Sequence, residues 1–411
     1  STRLPRAIRD VYKRQQYLLC KEKEILYGYR NSYSLLTIQG NYMISLSKSP
    51  KSKTSKASKA SGGLSNRAAI GIDISQHAIK MVQLTGRSLN QIQLEKYVIT
   101  KLPKNIVKGN KIQDYDQLVT YLQHTYTQLR SSCKNFVAAV PQSLATIENI
   151  TYNPRDTELD LDEFAESEIS AIGPIDEMSY DYQVTGVSVS PAGQQITTVA
   201  ARKDDIEPVI EMFENAGLDL SALDLDLLAQ RNAYAFWINN HAPELTNEKV
   251  AVFGIHATQM YALVMQNGQI LYKQETPVST EQLNQLIQRT YQVTEEKAAQ
   301  MIASSSKPSD YQTQVADRFN VQVAQEIQRV LQFYYTTQTT ETFSNIKHIL
   351  LTGFASQQAG LAESIFSQTN TATQCIHPVL YAERNNKIDL PQLQIDAPSL
   401  TLAFGLALRG L

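Results

Sequence analysis

The stretch Ala69-Ile70-Gly71-Ile72-Asp73-Ile74-Ser75, followed by Ala78-Ile79-Lys80-Met81-Val82-Gln83-Leu84, has an altered second copy about 180 residues further on. There the chain reads Lys249-Val250-Ala251-Val252-Phe253-Gly254-Ile255-His256-Ala257-Thr258, then Met260-Tyr261-Ala262-Leu263-Val264-Met265. Each copy is an apolar run, a short loop of small or polar residues, and a second apolar run. Each then turns tightly, at Thr85-Gly86-Arg87 and Gln266-Asn267-Gly268, into another β-rich stretch, Leu89 to Tyr97 and Gln269 to Gln274. Apolar runs of this length between turn residues read as buried strands. Two equivalent hairpins predict two related α/β domains facing one another.

A loop of small residues between paired strands lets backbone N–H groups approach phosphate. Two such loops across a cleft predict an actin-like, duplicated ribonuclease-H-like fold. Around the hairpins the pattern continues in α/β fashion. Tyr115 to Arg130 carries Leu118, Val119, Leu122, Tyr126 and Leu129 on one side and predicts a helix; Phe136 to Val140 predicts a buried strand. Between the two copies lies a small βαββ unit. It comprises a strand over 145–151, an acidic amphipathic helix over 158–172, a strand with Met178, Tyr180, Tyr182 and Val184 alternating, a turn at Pro191-Ala192-Gly193, and a strand over 196–201. Helices are expected at 205–216, ended by Gly217 as a left-handed cap, and at 226–239, 280–290, 294–302, 315–335, 359–366 and 398–408. Strands are expected at 222–225 and 346–352.

Composition narrows the function. The chain has 411 residues, enough for two or three domains. No apolar run approaches the ~18 residues that span a membrane, and the charged residues 1–30 lack the apolar centre of a signal peptide. Cys20, Cys133 and Cys375 are isolated, and the six histidines show no ligand spacing, so neither a disulfide framework nor a zinc site is expected and a reducing cytoplasm is. Residues 1–60 hold 13 Lys/Arg and 3 Asp/Glu; the rest holds 25 and 37. A globular part this acidic is not expected to bind nucleic acid. Residues 45–63, with Lys48, Lys51, Lys53, Lys56 and Lys59, cannot bury a core and read as a disordered tail, with Met43 read as the start of the native chain.

The ordered series of motifs resembles the PilM family of type IV pilus assembly proteins, itself similar to the division protein FtsA. Gly71-Ile72-Asp73-Ile74-Ser75 with Lys80, Ala138-Ala139-Val140-Pro141, Val199-Ala200-Ala201-Arg202-Lys203 and Asn215-Ala216-Gly217-Leu218 carry it. So do Leu331-Gln332-Phe333-Tyr334, Asp396-Ala397-Pro398-Ser399 and Gly405-Leu406-Ala407-Leu408-Arg409. The resemblance implies this layout: a non-core segment over 1–66, a first actin-like domain over 67–150 and 204–247, an inserted SHS2-like domain over 151–203, a second actin-like domain over 248–395, and a final helix over 396–411 packing back on the core.

It also implies where nucleotide would bind. Asp73 would face the Mg²⁺ shell, with Ser75, Gln76 and Lys80 beside the phosphates; Ala257 and Thr258 form the second loop and Gly353 the adenosine loop. Four positions depart from the family. Relatives read Asp-x-Gly-Ala-Thr where this chain has Gly254-Ile255-His256-Ala257-Thr258; Gly353 is followed by Phe354 rather than a second glycine; Ile302 stands where relatives place a lysine. A protonated His256 is the one new phosphate-binding group on offer. Weak ATP/Mg²⁺ binding or none is therefore expected, without significant turnover, and Gly254→Asp with His256→Gly is expected to raise ATP affinity. The resemblance further implies a scaffold that binds the N-terminal cytoplasmic peptide of PilN, a bitopic inner-membrane protein, between 68–150 and the inserted domain. Phe164, Glu168, Ile172, Tyr180 and Tyr182 are the candidate walls. Membrane contact would be indirect, other pilus platform proteins would be neighbours, and self-association stays open. Two alternatives share the fold: an FtsA-like division protein, and an active ATPase such as a sugar kinase or chaperone. Against the first, the final helix is apolar on all sides, which predicts burial rather than insertion.

Overall fold

The structure, a computed structural model, describes residues 67–87, 91–109, 111–189, 192–304, 306–338 and 344–411. The expected tail, Leu89 and the Pro191 end of the expected turn lie outside them. In chain order the first half runs β1 (Arg67–Ile74), β2 (Ala78–Gly86), β3 (Ile92–Lys101), the short pair β4 (Val107–Lys108) and β5 (Lys111–Ile112), α1 (Tyr115–Leu129) and β6 (Phe136–Val140). The small unit follows as β7 (Ala145–Tyr152), α2 (Leu161–Ser170), β8 (Met178–Val189) and β9 (Ala192–Arg202). Then come α3 (Lys203–Asn215), β10 (Leu220–Leu225) and α4 (Asp226–His241). The second half runs β11 (Val250–Ile255), β12 (Met260–Gln266), β13 (Gln269–Thr276), α5 (Thr280–Tyr291), α6 (Glu295–Ala303), α7 (Asp317–Thr336), β14 (His348–Thr352), α8 (Leu361–Thr369) and β15 (Ala372–Cys375). It ends with β16 (Glu383–Arg384), α9 (Leu390–Asp396) and α10 (Thr401–Arg409).

The helix ends are chemically specified. Asp114 caps α1 by accepting from the Gln117 N–H at 3.0 Å. Asp160 and Glu163 form a capping box at the start of α2, which is why that helix begins at Leu161 rather than at Glu158. Ser279 and Thr294 cap α5 and α6. Gly217 takes φ +70°, as its place beyond a helix end requires. Asn267 and Gly268 both have positive φ and turn β12 into β13. The helix expected over 315–335 begins at Asp317, after a π-helical turn over Gln312–Ala316.

Two large sheets repeat one plan. The first has the order β10-β6-β1-β2-β3-β16 and the second β13-β12-β11-β14-β15. In each, an antiparallel three-strand meander is extended by parallel strands on the other side of its first strand. This is the actin-like duplication expected from the hairpins. The third sheet, β7-β9-β8, packs Ile147, Val199 and Ala201 into the first core and carries α2 on its other face through Ile169, Met178 and Ala200.

Between the two large sheets lie α4 and α10, and they are exchanged. Helix α4 leaves the first sheet, yet Tyr234, Trp237 and Ile238 pack on Val250, Val252 and Leu263 of the second. Helix α10 ends the second half, yet Ala403, Phe404 and Ala407 pack with Val82, Leu84 and Leu94 of the first. The approach is backbone to backbone. A Cβ on Gly71 would fall under 3.0 Å from the Ala403 carbonyl and the Ala407 nitrogen of α10, and one on Gly405 would overlap the Ala229 carbonyl of α4. The all-round apolar α10 is accordingly buried from Ala403 to Arg409. Among the described residues no helix is long and apolar enough to cross a membrane.

Gly405→Ala should therefore cost at least about 3 kcal/mol of stability in urea denaturation, since backbone and not a flexible side chain must yield. Gly186→Ala, whose Cβ would meet only the Gln195 side chain at 3.6 Å, should stay within about 0.5 kcal/mol of the parent.

Candidate functional site: the cleft and the inserted unit

The loops joining β1 to β2 and β11 to β12 meet at the cleft, and strand register makes them comparable. In the first sheet Ile74 pairs with Ile79 and Asp73 with Lys80. In the second, Ile255 pairs with Met260 and Gly254 with Tyr261. The cross-strand pair Asp73–Lys80 thus has Gly254–Tyr261 as its counterpart. In the first pair Lys80 Nζ donates to Asp73 Oδ2 at 2.7 Å, with both side chains largely buried. In the second, the Tyr261 ring lies over Gly254 so closely that any Cβ there would fall within 3.0 Å of its Cζ, Cε1 and hydroxyl.

This corrects the expectation about restoring an acid. Gly254→Asp with His256→Gly cannot by itself rebuild a phosphate site, because Tyr261 fills the space that an aspartate side chain would need. His256 stacks on the same ring, with centroids 4.8 Å apart and planes at 29°. Its Nε2 is buried without a partner, and burial lowers its pKa to about 4. The ring is therefore neutral near pH 7 and offers no cation to phosphate.

The first loop spends its donors internally. The Ser75 N–H and hydroxyl both donate to the Ala78 carbonyl at 3.0 Å, so the groups expected to face phosphate close the turn instead. Gln76 pairs with His77 and accepts from the Gly109 N–H. In the second loop the carbonyls of His256 and Ala257 accept from the Thr280 and Glu281 N–H groups at the start of α5, while Ala257 and Thr258 are exposed. Gly353 has φ +88° and meets the Ile255 backbone, so packing alone requires glycine there. Ile302 packs into the second core, and Lys307 Nζ caps the end of α6 through the Met301 and Ile302 carbonyls at 2.7 and 3.1 Å.

Three cleft residues carry no mark in the sequence. Tyr234 of α4 is fully buried, and its hydroxyl meets that of Tyr261. Asp226, at the start of α4, accepts from the Gln142 and Leu227 N–H groups, and burial raises its pKa. Only the register reveals Tyr261: an aromatic directly across from a strand glycine covers it.

In the inserted unit the candidate peptide-binding residues are brought together. Phe164 tilts against Tyr152 at 5.2 Å. The Tyr180 hydroxyl donates to Glu166 Oε1 at 2.7 Å, and the Tyr182 hydroxyl meets Asp162. Ile172 and Tyr180 are partly buried against Ile169 and Met178, and Glu168 is half-buried. The two tyrosines therefore brace α2 on its sheet. Asp160, Asp162, Glu163, Glu166 and Glu168 have no cationic partner among the described residues.

The sequence profile of the type IV pilus assembly protein PilM matches residues 71–411. The chain belongs to the PilM family. A solved PilM–PilN type IV pilus biogenesis complex contains a chain that is 20% identical; the match covers 83% of this chain and 98% of that one, with a TM-score of 0.65. That likeness, like the sheet order, is the actin-like fold. The ethanolamine utilization protein EutJ from Carboxydothermus hydrogenoformans is 13% identical over 84% of this chain and 91% of its own, with a TM-score of 0.48.

The buried imidazole of this PilM-family chain sets a pH test. Unfolded, His256 takes up a proton below its ordinary 6.5; folded, it stays neutral until about 4. The unfolded state therefore binds more protons in that window, and stability falls as pH drops through it. Against His256→Gln, the unfolding free energy of the parent should lose about 2 kcal/mol between pH 7 and pH 5. Two paired urea titrations measure this, and parallel curves would show the ring to be solvated. His377, also lowered to about 4 by burial, and Asp224, raised to about 6 by burial, are common to both proteins and cancel.

Proposed function

We propose that the protein is a pilus-assembly scaffold whose inserted unit captures a short N-terminal peptide of a PilN-type bitopic inner-membrane protein, and whose nucleotide site is degenerate. It would work in the cytoplasm, held at the inner membrane through that partner and other platform proteins. The observation that carries the degenerate site is the replacement of an acid–lysine pair by Gly254–Tyr261. Losing a metal-orienting carboxylate costs orders of magnitude in rate, and the remaining acid, Asp73, is neutralised by Lys80.

Support for the peptide comes from the solved PilM–PilN complex and from the inserted unit itself. Half-buried Phe164 and Ile172 offer apolar contact to an extended peptide. The carboxylates of α2, which have no cationic partner among the described residues, favour a peptide bearing a basic residue.

A synthetic peptide of about ten residues from such a partner should bind in calorimetry. Glu168→Lys should weaken it several-fold with no loss of fold, and a polar residue at Phe164 should cost more, because interface energy concentrates in buried anchors. ATP hydrolysis should not exceed a buffer blank; turnover abolished by Asp73→Ala would overturn the degenerate reading. A gene deletion that leaves pili intact but misplaces septa would move the assignment to a division protein.

A further inference from the structure

The cleft is joined by the protein's own side chains where an actin-like fold would use a ligand. The Tyr261 hydroxyl of β12 meets the Tyr234 hydroxyl of α4, and both residues are buried. Separately, Thr352 Oγ1 at the end of β14 lies 3.4 Å from Thr401 Oγ1 at the start of α10. Helix α10 in turn rests on the first sheet. The Tyr234–Tyr261 contact therefore ties α4, which directly follows β10 of the first sheet, to the second sheet. On the cleft side the His256 ring closes over Tyr261 and senses the charges of Lys80 and Asp73, so the two loops face each other. At the rim, Lys104, beyond β3, pairs with Glu295 at the start of α6 at 2.7 Å; both are exposed, so water and salt leave that contact little strength.

We propose that Tyr261, Tyr234 and His256 form an internal latch that holds the two halves closed in place of nucleotide, so that the partner-binding surface does not answer to ATP. The proposal rests on the degenerate reading of this cleft and adds what replaces the ligand. Two features point to it. The Tyr234 and Tyr261 hydroxyls are aimed at one another rather than into the cleft, and the Tyr261 ring, with His256 stacked on it, occupies the space above the glycine at the acid's position. A buried pair of hydroxyls bonded to each other is rigid, whereas the pair that loses them is not. In actin-like enzymes a ligand closes the cleft by binding one conformation better than the other. A cleft already closed by its own side chains offers ligand no such difference to act on.

Hydrogen–deuterium exchange on the full chain, with and without millimolar Mg·ATP, tests the latch. In the parent protein the segments 72–79 and 254–261 should exchange at the same rate in both conditions. In Tyr234→Phe/Tyr261→Phe, which keeps the ring volumes, both segments should exchange at least about fivefold faster while β6 and β14 stay protected. Adding Tyr261→Ala to Gly254→Asp/His256→Gly should give segments that gain protection from Mg·ATP. Protection of the parent by Mg·ATP, or a tyrosine-to-phenylalanine pair that exchanges like the parent, would overturn the latch. Binding of the partner peptide should change less than twofold with Mg·ATP, and a larger change would overturn it as well. Failure of the parent to bind any such peptide would instead count against the partner assignment and leave the exchange result standing.

Discussion

Everything in this molecule hangs on how closely α10 can approach β1 and α4. Peptide backbones can touch across that seam only because Gly71 and Gly405 have no side chains. The approach brings Phe404 against Phe236, centroids 5.3 Å apart, and seats Ala403 and Ala407 on the first sheet. It also carries Arg409 to Asp224, where a buried ion pair 3.7 Å long ties the end of α10 to β10. Such a pair adds little net stability, since desolvation offsets the attraction, but removing one partner would leave a buried charge alone. The two sheets are thus not separate domains resting together. Each is completed by a helix that the other half supplies.

Much of this was legible in the sequence, for a physical reason. Buried strands must be apolar throughout, so the paired runs at 69–84 and 249–265 stand out, and their likeness at a distance reveals the duplication. Helix termini were readable where a capping group exists, as at Asp114, Thr294 and Gly217. The helix at Leu390–Asp396 and the strand Ala372–Cys375 were not, because they are short and only partly buried. What periodicity cannot express is which residue lies across the strand. Gly71 reads as part of a phosphate loop, yet a helix lies against it. Gly254 reads as a lost acid, and only the register shows a tyrosine in that acid's place.

The same distinction separates the two proposed sites. In the inserted unit the expected residues are together, but two of the aromatics hold a helix rather than stand free, which leaves Phe164 and Ile172 for a partner. In the cleft several of the expected residues have found a partner inside the protein: Asp73 with Lys80, the Ser75 donors with Ala78, the second-loop carbonyls with α5. These groups meet their hydrogen-bonding needs within the protein, as buried polar groups generally do, and the buried Nε2 of His256 is the exception among them.

The exchanged helices bear on how the chain is made. Synthesis delivers β1 and its neighbours some 330 residues before α10. Until then the inner face of the first sheet, with Val82, Leu84 and Leu94, lacks Ala403, Phe404 and Ala407, a large part of its cover. Contacts this distant in sequence form slowly, and an exposed apolar sheet face is prone to aggregate while it waits. A nascent chain of this fold is therefore a natural client for chaperones, and one that stops before Thr401 lacks the floor of its first sheet, however complete the rest of it is.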